Sequence, residues 1–142
     1  MKILSFNFLP EEAIIIRQKV FVEEQGFKYE FDEIDSASTH FVLFDDKETP
    51  IATCRVFFSN ERNSFILGRL AVIKEHRGKN IGKSIVEEAE KHVQRNAGKE
   101  IQLHAQCRIT PFYERLGFTP FGDIEYEEDC PHIWMKKEIQ KA

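Results

Sequence analysis

The spacing of apolar positions changes along the chain, and the changes mark its elements. Lys2 to Phe8 is short, rich in Ile, Leu and Phe, and predicts a strand. Pro10 then opens a helix, with Glu11 and Glu12 suited to its positive end and Ile14, Ile15, Val20 and Phe21 continuing it to about Gln25. Gly26 ends that pattern, and residues 26–39 show no period, which predicts a loop or an irregular short helix. His40 to Phe44 and Ile51 to Phe58 read as a hairpin joined by the turn residues Asp45 to Pro50. Ser64 to Ile73 is a longer apolar strand interrupted at Gly68 and Arg69, where a glycine signals a bulge or a close backbone approach.

The second half opens with the best helical pattern in the chain. Between Ile81 and Arg95, the residues Ile81, Ile85, Val86, Ala89 and Val93 share one face, and Lys83, Glu87, Glu88, Lys91 and Gln94 lie off it. Ile101 to Ala105 is a short strand. Thr110-Pro111 starts a short helix that Gly117 ends. Phe118 to Phe121 and His132 to Ile139 read as two strands, with the acidic segment Asp123 to Asp129 as their connection. Strands and helices in this order predict an α/β protein with a mixed sheet, helices packed on it, and a single domain over residues 1–142.

Composition narrows the classes of function. Apolar residues make up 42% and charged residues 31%, which suits a folded domain rather than a disordered chain. The net charge of −4 argues against a nucleic-acid partner. No apolar run is long enough to span a bilayer, and the first residues do not resemble a signal peptide. Cys54, Cys107 and Cys130 are an odd and sparse set, so they read as reduced thiols and the expected location is the cytoplasm. Glu23 to Asp35 holds six acids against Lys28 alone, and such a run reads first as a solvated face.

The segment from Gly68 to Lys83 carries the clearest chemistry. It passes from a strand through a basic loop (Lys74, Arg77, Lys79, Lys83) into the start of the best helix. Unpaired N–H groups at a helix start favour phosphate, and Gly78 and Gly82 let backbone approach a ligand. A Walker A loop fits poorly: Gly82-Lys83-Ser84 supplies its end, but Arg77 stands where its first glycine belongs. A zinc site from His104, Cys107, Cys130 and His132 is disfavoured by the single residue between Cys130 and His132, so no metal is expected.

Arg77-Gly-Lys-Asn-Ile-Gly82 resembles the coenzyme A pyrophosphate loop of the GCN5-related N-acetyltransferase (GNAT) superfamily, with Asn80 in place of the usual first glycine. Asn tolerates left-handed backbone, so this departure is mild. Phe112-Tyr113-Glu-Arg-Leu-Gly-Phe118 resembles the late helix of that superfamily, and the N-terminal half is similar to its small bacterial ElaA- and YjcF-like branch. The resemblance implies a sheet of about seven strands with helices on both faces, split between the fourth and fifth strands. It implies acetyl-coenzyme A as co-substrate, no metal, and a small primary amine as acceptor, with monomer or homodimer left open. Cofactor contacts fall on Leu70, Ala71, Val72, Arg77, Gly78, Lys79, Asn80, Ile81, Gly82, Lys83 and Gln106. Tyr113 matches the tyrosine that protonates the leaving thiolate. Glu24, Asp35, Arg55, His104 and His132 are the candidates for acceptor binding or proton removal. The acidic stretches 23–35 and 123–129 suit a cationic amine. The alternative is a non-enzymatic acyl-coenzyme A sensor or binding module.

Overall fold

The computed structural model describes residues 1–141 of the 142. Its described residues form a seven-stranded sheet. In chain order the strands are β1 (Lys2–Phe6), β2 (Thr39–Phe44), β3 (Pro50–Ser59), β4 (Ser64–Val72), β5 (Glu100–Gln106), β6 (Thr119–Glu127) and β7 (Cys130–Glu138). Their order across the sheet is β1-β2-β3-β4-β5-β7-β6. All neighbours are antiparallel except β4 and β5, which run parallel. A parallel pair needs a crossover, and helix α2 (Ile81–Arg95) supplies it.

The apolar stripe of α2 is the main clamp on one face. Ile81, Ile85, Val86, Ala89 and Val93 are all buried against Leu43, Ala52, Val56, Leu67, Ile101 and Leu103. Each buried Ile or Val there is worth about 1.5–3 kcal/mol of transfer free energy. The opposite face is covered at β2 to β4 by helix α1 (Glu11–Arg17) and the π-helical turn that continues it, where Ala13 and Ile16, then Val20 and Phe21, pack on Val42, Phe44 and Ala71. A short third helix, α3 (Thr110–Arg115), follows β5 with Pro111 in its first turn.

Two elements depart from the hydrophobic pattern. The first helix does not stay α-helical to Gln25: from Gln18 to Glu24 it widens into a π-helix, with Gln25 N–H donating to the Val20 carbonyl at 3.1 Å. The last connection is not a loop. β6 runs on through the acidic residues to Glu127, bulged between Phe121 and Glu125, and pairs Glu125 with His132 and Glu127 with Cys130. It is an edge strand with almost every residue exposed, so it has no apolar face to announce it.

The split between β4 and β5 is the feature that positions the site. Their pairing holds from Phe65 opposite Ile101 to Leu67 opposite Leu103 and then stops. On the other side of β4, Thr53 faces Ala71 and Arg55 faces Gly68, so Arg69 and Leu70 share one partner position. That is a β-bulge, with Arg69 at φ 53°, and bulges increase local twist. From Gly68 to Val72 the edge of β4 towards β5 has no strand partner.

Candidate functional site

Two clefts open along the unpaired edge. The larger, about 640 Å³, is lined by Leu70 to Val72, by the loop from His76 to Lys83, and by α3 at Phe112. The smaller, about 480 Å³, lies on the sheet face that α1 leaves bare, between Arg55, His104, His132, Trp134 and the segment Phe27 to Ile34. Leu70 and Ile109 border both, so the clefts meet at the split.

The basic loop is built for an anion. Gly78 has φ 79° and Asn80 φ 62°, two left-handed residues that turn the chain into α2. Asn80 fills the position where the superfamily's motif has glycine, in a conformation that Asn tolerates best after Gly. Its side chain makes no cap, and the first bond of α2 is Ser84 N–H to the Asn80 carbonyl at 3.1 Å. The N–H groups of Ile81, Gly82 and Lys83 are therefore claimed by no described residue, at the positive end of a 15-residue helix. Lys83 lines the same cleft. A Cβ on Gly82 would meet the Phe112 ring at 3.1 Å, so this glycine also lets α2 and α3 pack closely.

Arg77 is held rather than free. Its Nε donates to the Val72 carbonyl at 2.9 Å, and its two terminal nitrogens grip the Glu24 carboxylate at 2.6 and 2.7 Å. The bond from Arg77 lowers the Glu24 carboxyl below its usual range. Glu24 lines neither cleft. Gln106, at the end of β5, donates to Gln25 at 2.8 Å and closes the far end of the split.

The acidic run proves to be only partly solvated. Arg17, 1% exposed, donates through Nε to Glu30 at 2.8 Å and through Nη1 to Asp35 at 2.8 Å. Arg55 binds Asp32 at 2.7 Å and Asp35 at 2.9 Å, and Arg69 reaches Asp32 at 3.2 Å. Three acids of the run thus face three arginines that lie outside it. Burial pushes Asp35 up, but the bonds and charges of Arg17 and Arg55 outweigh it and hold the carboxyl down at about 2. For Glu30 burial wins, and its carboxyl is raised. This network pins the aperiodic segment 30–35 to the sheet. It leaves Asp35 out of the smaller cleft, while Arg55 lines that cleft with its terminal nitrogens already engaged.

The other wall is set by β6 and β7. His104 and Trp134 stack at 4.7 Å, and the Arg62 guanidinium sits 3.4 Å from the indole centre. His104 and His132 lie 5.0 Å apart, with Glu127 between them. Tyr113, from α3, lines the same cleft. Its ring meets Phe112 and Phe118 edge-on at 5.0 and 5.8 Å, and burial raises its phenol. Glu127, Trp134 and Arg69 line this cleft too, and the sequence reading does not single them out as candidates. The signal for the first two was present, because Glu125 and Glu127 alternate with the same period as His132 and Trp134.

The family described as Acetyltransferase (GNAT) domain matches residues 10–139. The chain belongs to the GNAT family. It is 30% identical to the uncharacterized N-acetyltransferase YjcF of Bacillus subtilis over 131 residues, covering 90% of this chain and 91% of that one. Protein ElaA of Escherichia coli is 27% identical over 132 residues, covering 89% of this chain and 86% of ElaA. The ElaA crystal structure superposes with a TM-score of 0.84 at 26% identity, over 97% of this chain and all of that one. A crystallised aminoglycoside 6'-N-acetyltransferase, complexed with coenzyme A, shares the GNAT fold at a TM-score of 0.78 and 18% identity, over 100% and 99% of the two chains. Membership supports acyl-coenzyme A-dependent N-acetyltransferase activity. No helix among the described residues is long and apolar enough to cross a membrane.

Proposed function

We propose that this protein is a single-domain N-acetyltransferase that moves the acetyl group of acetyl-coenzyme A to a primary amine of a small acceptor. The observation that carries the reading is the split. The pairing of β4 and β5 ends at Leu67 and Leu103, and the freed edge of β4 runs between an anion-binding helix start and a separate polar cleft. A strand edge with unpaired N–H and C=O groups suits an amide-bearing arm, which would lie there as an added strand. The co-substrate's pyrophosphate would sit on the N–H groups of Ile81 to Lys83, with Lys79 and Lys83 supplying charge. Leu70, Ala71 and Val72 would hold the pantetheine arm, beside Gln106. Coenzyme A bound by the aminoglycoside 6'-N-acetyltransferase of the same fold supports this assignment.

The thioester itself supplies the activated acetyl group when the co-substrate is bound. The acceptor would reach it through the 480 Å³ cleft, beside segment 27–34. Tyr113 remains protonated at neutral pH, since burial raises its phenol further, and so can donate a proton to the departing thiolate. The acceptor's ammonium would meet the carboxylate of Glu127 on the β6 wall rather than Glu30, Asp32 or Asp35 of the acidic run, whose charges Arg17, Arg55 and Arg69 already engage.

The deciding experiment is thiol release from acetyl-coenzyme A against a panel of primary amines, with calorimetry of acetyl-coenzyme A binding beside it. Turnover with at least one amine is expected. Binding without turnover on any amine would make the protein an acyl-coenzyme A-binding module instead.

A further inference from the structure

Acetyl transfer to an amine has one requirement that the preceding assignment leaves open. An alkylammonium with a pKa near 10 must lose a proton before it can attack. A residue that takes this proton needs an unshared lone pair open to the acceptor cleft. Glu24 lines neither cleft, and Arg77 occupies its carboxylate. Asp35 is buried and bound by Arg17 and Arg55. His104 places Nδ1 2.6 Å from Glu127, and its Nε2 is sealed from solvent.

His132 is different. Its Nδ1 lies 2.9 Å from the Cys130 carbonyl oxygen, which can only accept, so Nδ1 carries the hydrogen. The lone pair of the neutral ring is then on Nε2. The ring is largely buried, at 6% exposure, but it lines the cleft, and Nδ1 is the ring nitrogen that its hydrogen bond occupies. Nε2 lies 3.5 Å from Glu127 Oε2, so a carboxylate waits beside the place where a proton would arrive. The bond from His104, followed by the charge of His132, keeps Glu127 below the usual carboxylate range despite its burial. His104 in turn is fixed by its stack on Trp134. In register His132 pairs with Gln106, the last residue of β5, directly before the turn into α3 that carries Tyr113. The candidate acid and this histidine therefore stand at the same end of the split.

We infer that His132 Nε2 is the general base of the acetyl transfer, that Glu127 is its counter-charge, and that His104 is a positioning residue for Glu127. The inference rests on the acetyltransferase reading above. His132 takes one proton from the acceptor ammonium and becomes an imidazolium, which returns that proton to solvent through the cleft. The free amine forms a C–N bond to the thioester carbonyl, and the C–S bond breaks. Tyr113 protonates the thiolate. The second proton lost by the nitrogen restores the Tyr113 phenol. The sum is an amide, a free thiol and one proton released. The ionisable groups that line the cleft with His132 are Tyr29, Glu30 and Asp32 of the segment after α1, Arg55 of β3, Arg69 of β4, His104 of β5, Tyr113 of α3, Glu127 of β6 and Glu128 of the β6–β7 turn; Glu125 of β6 pairs with His132 in register.

The test compares wild type, His132→Gln and Glu127→Gln with acetyl-coenzyme A and benzylamine, spermidine and glucosamine as probes. His132→Gln is expected to lower kcat/KM on the order of 10²-fold and to abolish the ionisation on the acid limb of its pH profile. Glu127→Gln should move that limb to lower pH, because the imidazolium loses its counter-charge. Calorimetry should find acetyl-coenzyme A affinity unchanged in both. Nitrogen-15 spectra of the wild-type histidines should show His132 protonated at Nδ1, a readout that needs no variant to fold. If His132→Gln keeps the wild-type rate and acid limb, or if His132 is protonated at Nε2 when neutral, the inference falls and the acetyltransferase reading stands. If wild type binds acetyl-coenzyme A but acetylates none of the three amines, the reading and the inference fall together.

Discussion

Tyr113 shows how much one side chain depends on what surrounds it. A tyrosine on a short amphipathic helix is ordinary core material, and here it is 5% exposed between two phenylalanines. Yet it also lines the smaller cleft next to the split. Burial disfavours the phenolate, so the hydroxyl holds its proton throughout the neutral range. Tyr113→Phe keeps the ring and its packing and removes only the hydroxyl. Turnover should fall on the order of 10²-fold while acetyl-coenzyme A affinity and melting temperature stay near wild type. Steady-state kinetics with a calorimetric titration would check this. Wild-type turnover with chemistry rate-limiting would return Tyr113 to a packing role.

At the scale of the element, the start of α2 is governed by backbone conformation as much as by charge. Asn80 holds φ 62° and ψ 19° at the N-cap without bonding its side chain. Its contribution is thus to permit the turn, and the phosphate would be met by N–H groups that follow it. Asn80→Gly should bind acetyl-coenzyme A as well as wild type does. Asn80→Val puts a β-branched side chain into left-handed backbone, at a cost of at least about 1–2 kcal/mol. Affinity should then weaken about tenfold or more, with α2 itself intact by circular dichroism. Equal affinities for the two variants would show that the loop conformation does not govern binding. The helix was legible in the sequence because its apolar stripe repeats over four turns. β6 was legible only at its start, read as a strand over Phe118 to Phe121; its continuation to Glu127 was not, because that exposed, acidic edge segment buries no face. That omission also hid Glu127 from the site.

For the molecule as a whole, the arginine–carboxylate network ties the segment 30–35 to α1, β3 and β4. Asp35 is its centre, with two arginines on one carboxylate. Its carboxyl lies near 2 in the fold against 3.8 when unperturbed, so the folded state binds its proton less tightly. The stability from this group is complete above about pH 4 and is lost as pH falls towards 2. Glu30 has the opposite sign, since its raised carboxyl relieves a burial cost when protonated. Asp35→Asn should therefore unfold with a flatter loss of stability in the acid range. At neutral pH it should be less stable by about 3–5 kcal/mol, because Arg17 and Arg55 lose their shared partner. Urea unfolding at a series of pH values would check both. An acid limb as steep as that of wild type would remove Asp35 as its source.

The sequence by itself determined the features that depend on neighbours along the chain. These are the α2 stripe, the hairpin of β2 and β3, the interruption at Gly68, and the glycine-rich basic loop entering a helix. Each is set by local periodicity or by a residue's own backbone preference, and each can be read without knowing what packs against it. Only the tertiary structure decided which charges are spent and which face a ligand. The run from Glu23 to Asp35 is acidic in sequence, but Arg17, Arg55 and Arg69 reach it from three other elements and neutralise Glu30, Asp32 and Asp35. Likewise, Arg77 is spent on Glu24 across 53 residues of chain. His104 and His132 are unremarkable apart; they share one carboxylate because β7 lies between β5 and β6 in the sheet. Pairing between distant strands fixes that order, and the energy of a charge depends on the nearest opposite charge in space rather than in sequence.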